Sequence, residues 1–349
     1  MRLFGRSREA NGDRGAAVAE PLRDGFPGGD RQLLAEIERL TASNRAEPRR
    51  EIERELLRLR NLAGIRRLAT VGAPAFAEPD RDALPGGEGL PEIAGDAMTP
   101  GLLRAGILRD GCLLVRGLIA SDQALGFAAS IDRSFAERQR HDSGEPFADG
   151  YYTEFAPDPR VGIELARPWI KEGGGVLAVD APMLNFQMME LFADAGLPEL
   201  VRDYLGEPAL MTAQKTTLRK AEPSVPGAWH QDGKFMGPVR SLNLWLALSR
   251  CGDVAPGLDI VPRRIDHHVT AQTDEAMLDY MVSQRMAEHA AGDTPILRPI
   301  FAPGDALFFD ELFLHKTGSD PEMPEPRYAI ENWFFGGSAF PAEYAPIAV

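Results

Sequence analysis

The chain's 349 residues contain six histidines, at positions 141, 230, 267, 268, 289 and 315. His230 stands two residues before Asp232 in AWHQDGKF. In extended backbone, residues i and i+2 point to the same side, so this imidazole and carboxylate can reach one ion together. His315 closes the apolar stretch ALFFDELFLH, after a Pro303-Gly304-Asp305 turn. Two imidazoles and a carboxylate form a facial set that leaves three adjacent positions on iron open. Chemistry with O2 needs that number: two for a bidentate 2-oxo acid and one for O2. Zinc favours a tetrahedral site with fewer open positions, so iron is the better match. A lone H-x-D tripeptide arises often by chance. For His230 alone the plain reading is a satisfied polar side chain.

The downstream residues sharpen the signal. Arg327 follows His315 by twelve residues, at the start of RYAIENWFF. An antiparallel pairing of these two segments would set a guanidinium beside the metal-ligand strand. Its fork suits the far carboxylate of a dicarboxylate cosubstrate, and Thr317 faces the same side as His315 and could bond that carboxylate. A structural salt bridge is the alternative reading of Arg327. Gln231, between two candidate ligands, should face away from the metal. Lys234 and Phe235, with Tyr151, Tyr152 and Trp333, could line the pocket mouth or simply pack in the core. Lys215 could face pocket or solvent. His267 and His268 read as surface loop, and His289 as an exposed helical residue.

The elements that must position these groups are mostly short strands. ALMTAQKTTLRK (209–220) is β-like, and SLNLWLALS (241–249) alternates, with Leu242, Leu244, Leu246 and Leu248 on one face. GLDIVP, PILRPIFAPGDALFF, LFLHKTG and RYAIENWFFG follow, separated by Pro and Gly turns. This spacing predicts an antiparallel barrel or sandwich. Helices are expected over 101–110, 121–140 (with Ser121 as N-cap) and 183–205. Upstream, residues 1–29 read as a disordered arm and 30–70 as a helical hairpin starting at Asp30. Residues 71–90 read as a Pro/Gly-rich linker, with the catalytic domain over 91–349. The hairpin could pack on that domain or mediate self-association. Residues 142–180, aromatic and irregular, resemble a substrate lid. The glycines at 173–175 lack the strand–helix context of a phosphate loop.

WHQDG, SLNLWLALS, GLDIVP, APGDALFFDELFLHKTG and RYAIENWFF, in that order, resemble the phytanoyl-CoA dioxygenase family over roughly residues 90–340. The resemblance implies a mainly β fold with flanking helices around a double-stranded β-helix (jelly-roll, cupin-like) core. It implies Fe(II), with 2-oxoglutarate and O2 as cosubstrates. His230, Asp232 and His315 match the metal ligands. Arg327 matches the residue for the far carboxylate of 2-oxoglutarate, and Thr317 a hydroxyl partner. Trp245 matches a cosubstrate-side aromatic and Thr217 a further cosubstrate contact. The implied reaction is hydroxylation of an unactivated C–H bond in a small or medium organic molecule, with release of succinate and CO2. Desaturation and epoxidation share the same oxidant. Halogenation needs the carboxylate position vacated for chloride, which Asp232 opposes. The family's usual Pro-Gly-Ser-His loop is replaced here by Pro262-Arg263-Arg264-Ile265-Asp266, which bears on local structure or substrate access. A non-catalytic jelly-roll binder is the competing class, although it would have no need for three open iron positions.

Bulk composition agrees with a soluble catalyst. Net charge is −14 and the pI near 5.0, which repels phosphate backbones and anionic lipid, so nucleic acid is not an expected partner. No segment approaches the ~18 apolar residues of a membrane span, and no secretory h-region opens the sequence. Two cysteines, Cys112 and Cys251, make no disulfide framework, and a cytoplasmic location is expected.

Overall fold

A computed structural model describes residues 25–68, 72–86, 89–225, 227–274, 276 and 278–349. Most of the expected N-terminal arm, residues 1–24, lies outside them. The described residues begin with α1 (Asp30–Ala46) and α2 (Arg50–Leu68). Then come β1 (Glu92–Ala94), α3 (Pro100–Asp110), β2 (Cys112–Arg116), α4 (Ser121–Asp142), α5 (Pro168–Glu172) and β3 (Gly175–Leu177). The next elements are α6 (Pro182–Asp194), α7 (Leu197–Leu205), β4 (Ala209–Ala221), α8 (Gly233–Met236), β5 (Ser241–Ala247) and β6 (Gly257–Ile260). The chain ends with α9 (Gln284–Ala291), β7 (Ala306–Phe309), β8 (His315–Gly318), β9 (Arg327–Gly336) and β10 (Pro346–Ala348). The core is sheet-rich with flanking helices, but the helices hold more of the described residues than the strands do, so "mainly β" understates them. Ser121 and Asp30 each prove to be the first helical residue; the caps are Ala120 and Gly29.

Eight strands form one sheet. Its order is β1-β2-β7-β5-β9-β4-β10, with β3 also on β4. Only β1 and β2 run parallel among these pairs. The second sheet is small: β6 with β8. Isolated bridges widen it, His230 to His315 on one side and Leu297 to Ile260 on the other.

Both faces of the large sheet are buried. The even leucines of β5 and Phe308, Ile330 and Phe334 join the main core with α3, α4, α6 and α7. The odd face, with Trp245, Leu307, Phe309, Ala329, Trp333 and Phe335, forms a second cluster with Leu258 and Ile260 of the small sheet. The β5 alternation therefore separates two apolar environments. It does not separate core from solvent.

The helical hairpin packs on its own chain. Leu33, Ile37 and Leu40 of α1 and Leu56, Leu59 and Ala63 of α2 close over Leu210 and Ala348, while Leu34 stays 38% exposed. The following Pro/Gly-rich stretch is hydrogen-bonded to the domain, Ala77 N to Tyr204 O at 2.9 Å and Asp80 N to Gly101 O at 3.0 Å.

Candidate metal and cosubstrate site

The two sheets face each other across the site, and each contributes half of it. On the small sheet, His230 and His315 exchange backbone hydrogen bonds, His230 N to His315 O at 3.0 Å and His315 N to His230 O at 3.2 Å. That pairing brings the rings to 4.4 Å between centroids. Close approach needs Gly227: a Cβ there would stand 2.3 Å from the Thr317 carbonyl oxygen and 2.6 Å from its nitrogen. Asp232 follows in a tight turn that opens the short α8.

Among the described residues, His230, Asp232 and His315 are the one group able to hold a metal ion, with one donor atom from each within 4.8 Å of the others. His230 Nε2 lies 3.3 Å from Asp232 Oδ1. Cis ligands each about 2.1 Å from one ion would stand about 3 Å apart, close to that spacing. Nδ1 of His230 lies 2.8 Å from the Ala228 carbonyl, and Nδ1 of His315 lies 3.1 Å from that of Phe313. A carbonyl only accepts, so each Nδ1 carries the proton and each Nε2 presents a lone pair to the ion.

Electrostatics favour the ligating forms of Asp232 and His315, whereas at His230 burial pulls the imidazole down but the Asp232 carboxylate outweighs it and raises it. Burial alone would raise the Asp232 carboxyl, but His230 and then His315 outweigh it and hold it down to about 2. Burial, then the neighbouring His230, pushes His315 down to about 4, so it is neutral near neutral pH. Gln231 faces away from the site, as expected, and is fully buried. Its Nε2 donates to His267 O at 3.0 Å and Leu312 O at 2.6 Å, and its Oε1 accepts from Val269 N at 2.7 Å. One side chain thus ties the two ligand segments to the 267–269 loop.

The large sheet supplies the other half. Arg327, Ala329, Glu331 and Trp333 share the inner face of β9. Across the pleat, Glu331 pairs with Trp245 of β5 and Thr217 of β4. Arg327 is buried, its guanidinium 5.3 Å from the Trp245 ring. The expected pairing of its strand with the His315 strand is not found. β9 lies between β4 and β5, while β8 pairs with β6. Arg327 therefore meets the metal half across the gap between sheets, donating Nη1 to Gly257 O at 3.2 Å. The reason is topological: β6 holds the free edge of β8, and β9's Trp, Phe and Ile residues fill the centre of the larger sheet. Thr317 shares the His315 face of β8, as its spacing predicts.

Two buried donors here have no partner among the described residues: Arg327 Nε and Trp245 Nε1. A buried polar group without a partner is costly, and these two lie on side chains in contact with each other, so an acceptor placed between them would satisfy both. Each can donate to a carboxylate oxygen.

The other candidates divide. Phe235 lies 6.3 Å from the His230 ring with near-parallel planes and is 37% exposed. Trp333 lines the interior, edge-on to Phe309 at 5.8 Å. Tyr151 and Tyr152 do not reach the mouth: both pack with the main core, Tyr152 being 1% exposed. From the aromatic 142–180 segment, Trp169 packs against Lys215 and Arg219, its ring 5.0 Å from the Lys215 ammonium. His267 offers its carbonyl to Gln231, and His268 stands close against Gly233. In the unusual 262–266 loop, Arg264 pairs with Asp310 and with Asp266, which anchors the loop to the turn leading into β8.

Four further residues near the site carry little or no signal in the sequence. A register shift in β4 between Met211 and Thr216 turns Lys215 inward, its ammonium 4.0 Å from the Phe235 ring and 5.0 Å from Trp169. Burial brings it down to about 8, against the pull of Asp232. Tyr280 contacts Phe235 at 5.4 Å edge-on, from a stretch with no periodic signal. Glu331 and Arg219 were legible in principle, since each shares a strand face with an assigned residue, Glu331 with Arg327 and Arg219 with Thr217.

Half-buried His230 with buried Asp232 and His315 is a donor set of the kind that holds a mononuclear iron. A family model, Phytanoyl-CoA dioxygenase (PhyH), matches residues 107–320, and the chain belongs to that family. Fe(II) and 2-oxoglutarate are its cofactors, and it is a 2-oxoglutarate-dependent oxygenase. No curated protein matches. Among solved structures, the chain is similar to apo EctD from S. alaskensis (18% identity, TM-score 0.47, covering 69% of this chain and 79% of that one). It is also similar to AviO1 from Streptomyces viridochromogenes Tue57 (20%, 0.44, covering 70% and 98%). A third is SnoN, a non-heme alpha ketoglutarate dependent epimerase from nogalamycin biosynthesis (18%, 0.40, covering 68% and 82%).

Proposed function

We propose that this oxygenase hydroxylates an unactivated C–H bond of a small or medium organic molecule, releasing succinate and CO2. His230, Asp232 and His315 hold iron, which with 2-oxoglutarate and O2 supplies the oxidising chemistry. Arg327 takes the far carboxylate of 2-oxoglutarate, with Trp245, Thr317 and Thr217 around it. The observation that supports it is the pair of unpartnered buried donors, Arg327 Nε and Trp245 Nε1, on side chains that pack against each other. A protein that only bound a metal would have no use for them.

Asp232 supports hydroxylation over halogenation, because its carboxylate fills the position that a halide would need. Phe235, Tyr280 and Trp169 give the mouth an aromatic rim that would exclude water and stack on an apolar or ring-bearing substrate. The core is proposed to be a jelly roll, with residues 91–349 as the dioxygenase domain and the hairpin packed against it. No described helix is long and apolar enough to cross a membrane. Cys112 and Cys251 are buried free thiols, which fits the proposed cytoplasmic location. The test is a substrate screen read by succinate formation, with His315→Ala as the blank. Substrate-dependent succinate with an oxygenated product supports the reading. Substrate-dependent succinate with an epimerised, desaturated or chlorinated product would overturn hydroxylation.

A further inference from the structure

The fork of Arg327 is already half filled. Its Nη2 donates to Glu331 Oε1 at 3.3 Å, while Nη1 is held by Gly257 O and Nε is orphaned. Nε and Nη2 form one edge of a guanidinium, the edge on which a carboxylate docks through two parallel bonds. Glu331 therefore sits on half of the docking edge. Its other oxygen is held more tightly elsewhere: Oε2 accepts from Arg219 Nε at 2.7 Å and from Thr217 Oγ1 at 3.2 Å. Arg219 is itself fixed, donating Nη1 to Gly173 O at 2.8 Å. Burial pushes the Glu331 carboxyl up, but Arg219 and Arg327 outweigh it and keep it ionised. Two guanidiniums and one carboxylate leave one positive charge, which a single further carboxylate neutralises.

We propose that Glu331 is an internal stand-in for the cosubstrate's far carboxylate, and that Arg219 with Thr217 draws it off Arg327 when cosubstrate docks. The inference rests on the proposed cosubstrate role of Arg327. Glu331 and Arg219 are positioning residues: they act on cosubstrate affinity through Arg327. Without Glu331, Arg327 would present its whole docking edge. Without Arg219, Glu331 would turn fully onto Arg327 and compete.

The test is anaerobic titration of Fe(II)-loaded protein with 2-oxoglutarate, followed by the metal-to-ligand absorption band. 2-Oxovalerate, which has the same chelating end and no far carboxylate, serves as reference ligand. Removing the competing charge in Glu331→Gln is expected to tighten 2-oxoglutarate about tenfold, the scale of one charge-assisted hydrogen bond, and to leave 2-oxovalerate unchanged. Glu331→Asp, which keeps the charge but retracts it by one methylene, should fall between. Arg219→Met should weaken 2-oxoglutarate by a similar factor, and the double variant should return to the Glu331→Gln value, because Arg219 acts only through Glu331. A purely structural role would shift both acids together. Equal shifts for the two acids, weaker 2-oxoglutarate binding in Glu331→Gln, or additive effects in the double variant would overturn the proposal. Absence of the band in the wild-type protein with either acid would instead sink the iron and cosubstrate assignment beneath it.

Discussion

The two halves of the site are built by different means. The proposed cosubstrate half lies on the large sheet, where Thr217, Trp245, Arg327 and Glu331 project from long strands with helices behind them. On β5 and β9 the pleat decides which side chains face inward, a register shift interrupts it in β4, and the main core of leucines and phenylalanines holds the sheet in place. The metal half lies on a two-stranded sheet extended by single bridges. There, the ligands are placed by close backbone approach at Gly227, by ring-to-carbonyl bonds at Ala228 and Phe313, and by the buried amide of Gln231. The first half is robust because many apolar contacts share its load. The second is precise and depends on a few polar ones.

That contrast can be broken in order of effect. His315→Ala removes a ligand outright, and iron loading by elemental analysis should fall to background with activity. Gly227→Val drives a side chain into the Thr317 backbone, and both iron affinity and melting temperature should drop. Gln231→Leu is milder: it keeps the volume and strands Val269 N and two carbonyls. Metal affinity should fall about 10–100-fold, the usual cost of losing an outer partner of a metal ligand, in a protein that remains folded. On the large sheet the reverse is expected. Leu244→Ala should cost about 2–5 kcal/mol in denaturant unfolding, as a fully buried leucine does, while the folded fraction binds iron as before. If Leu244→Ala impaired iron affinity as strongly as Gln231→Leu, the two halves would not be separable.

The same contrast explains what the sequence made legible. The cosubstrate half obeys a period of two, so alternation alone sorts SLNLWLALS and RYAIENWFF into faces. Trp245 and Arg327 fall on the inner face for that reason. The grouping of His230, Asp232 and His315 is legible through H-x-D and a histidine at a strand end. The pairing of strands was not: nothing in LFLHKTG says that its neighbour is GLDI and not RYAI, since pairing depends on which apolar faces close on each other in space. Lys215 was undecidable because an irregularity in β4 reverses the alternation that would have placed it. Tyr280 sits in a stretch without periodicity, so only folding brings it to Phe235. The aromatic 142–180 segment reads as a lid, yet Tyr151 and Tyr152 are drawn into the main core. Aromatic clustering alone does not distinguish a lid from packing.

The central claim is that the two halves together form one iron and 2-oxoglutarate site. The most direct measurement is anaerobic: Fe(II) is added to the wild-type protein, then 2-oxoglutarate, with the same additions to His315→Ala and to Arg327→Ala. A visible metal-to-ligand band should form in the wild type, fail in His315→Ala, and appear in Arg327→Ala only at far higher 2-oxoglutarate. A wild-type protein that gives no band, or an Arg327→Ala protein that binds 2-oxoglutarate as tightly as wild type, would contradict the account.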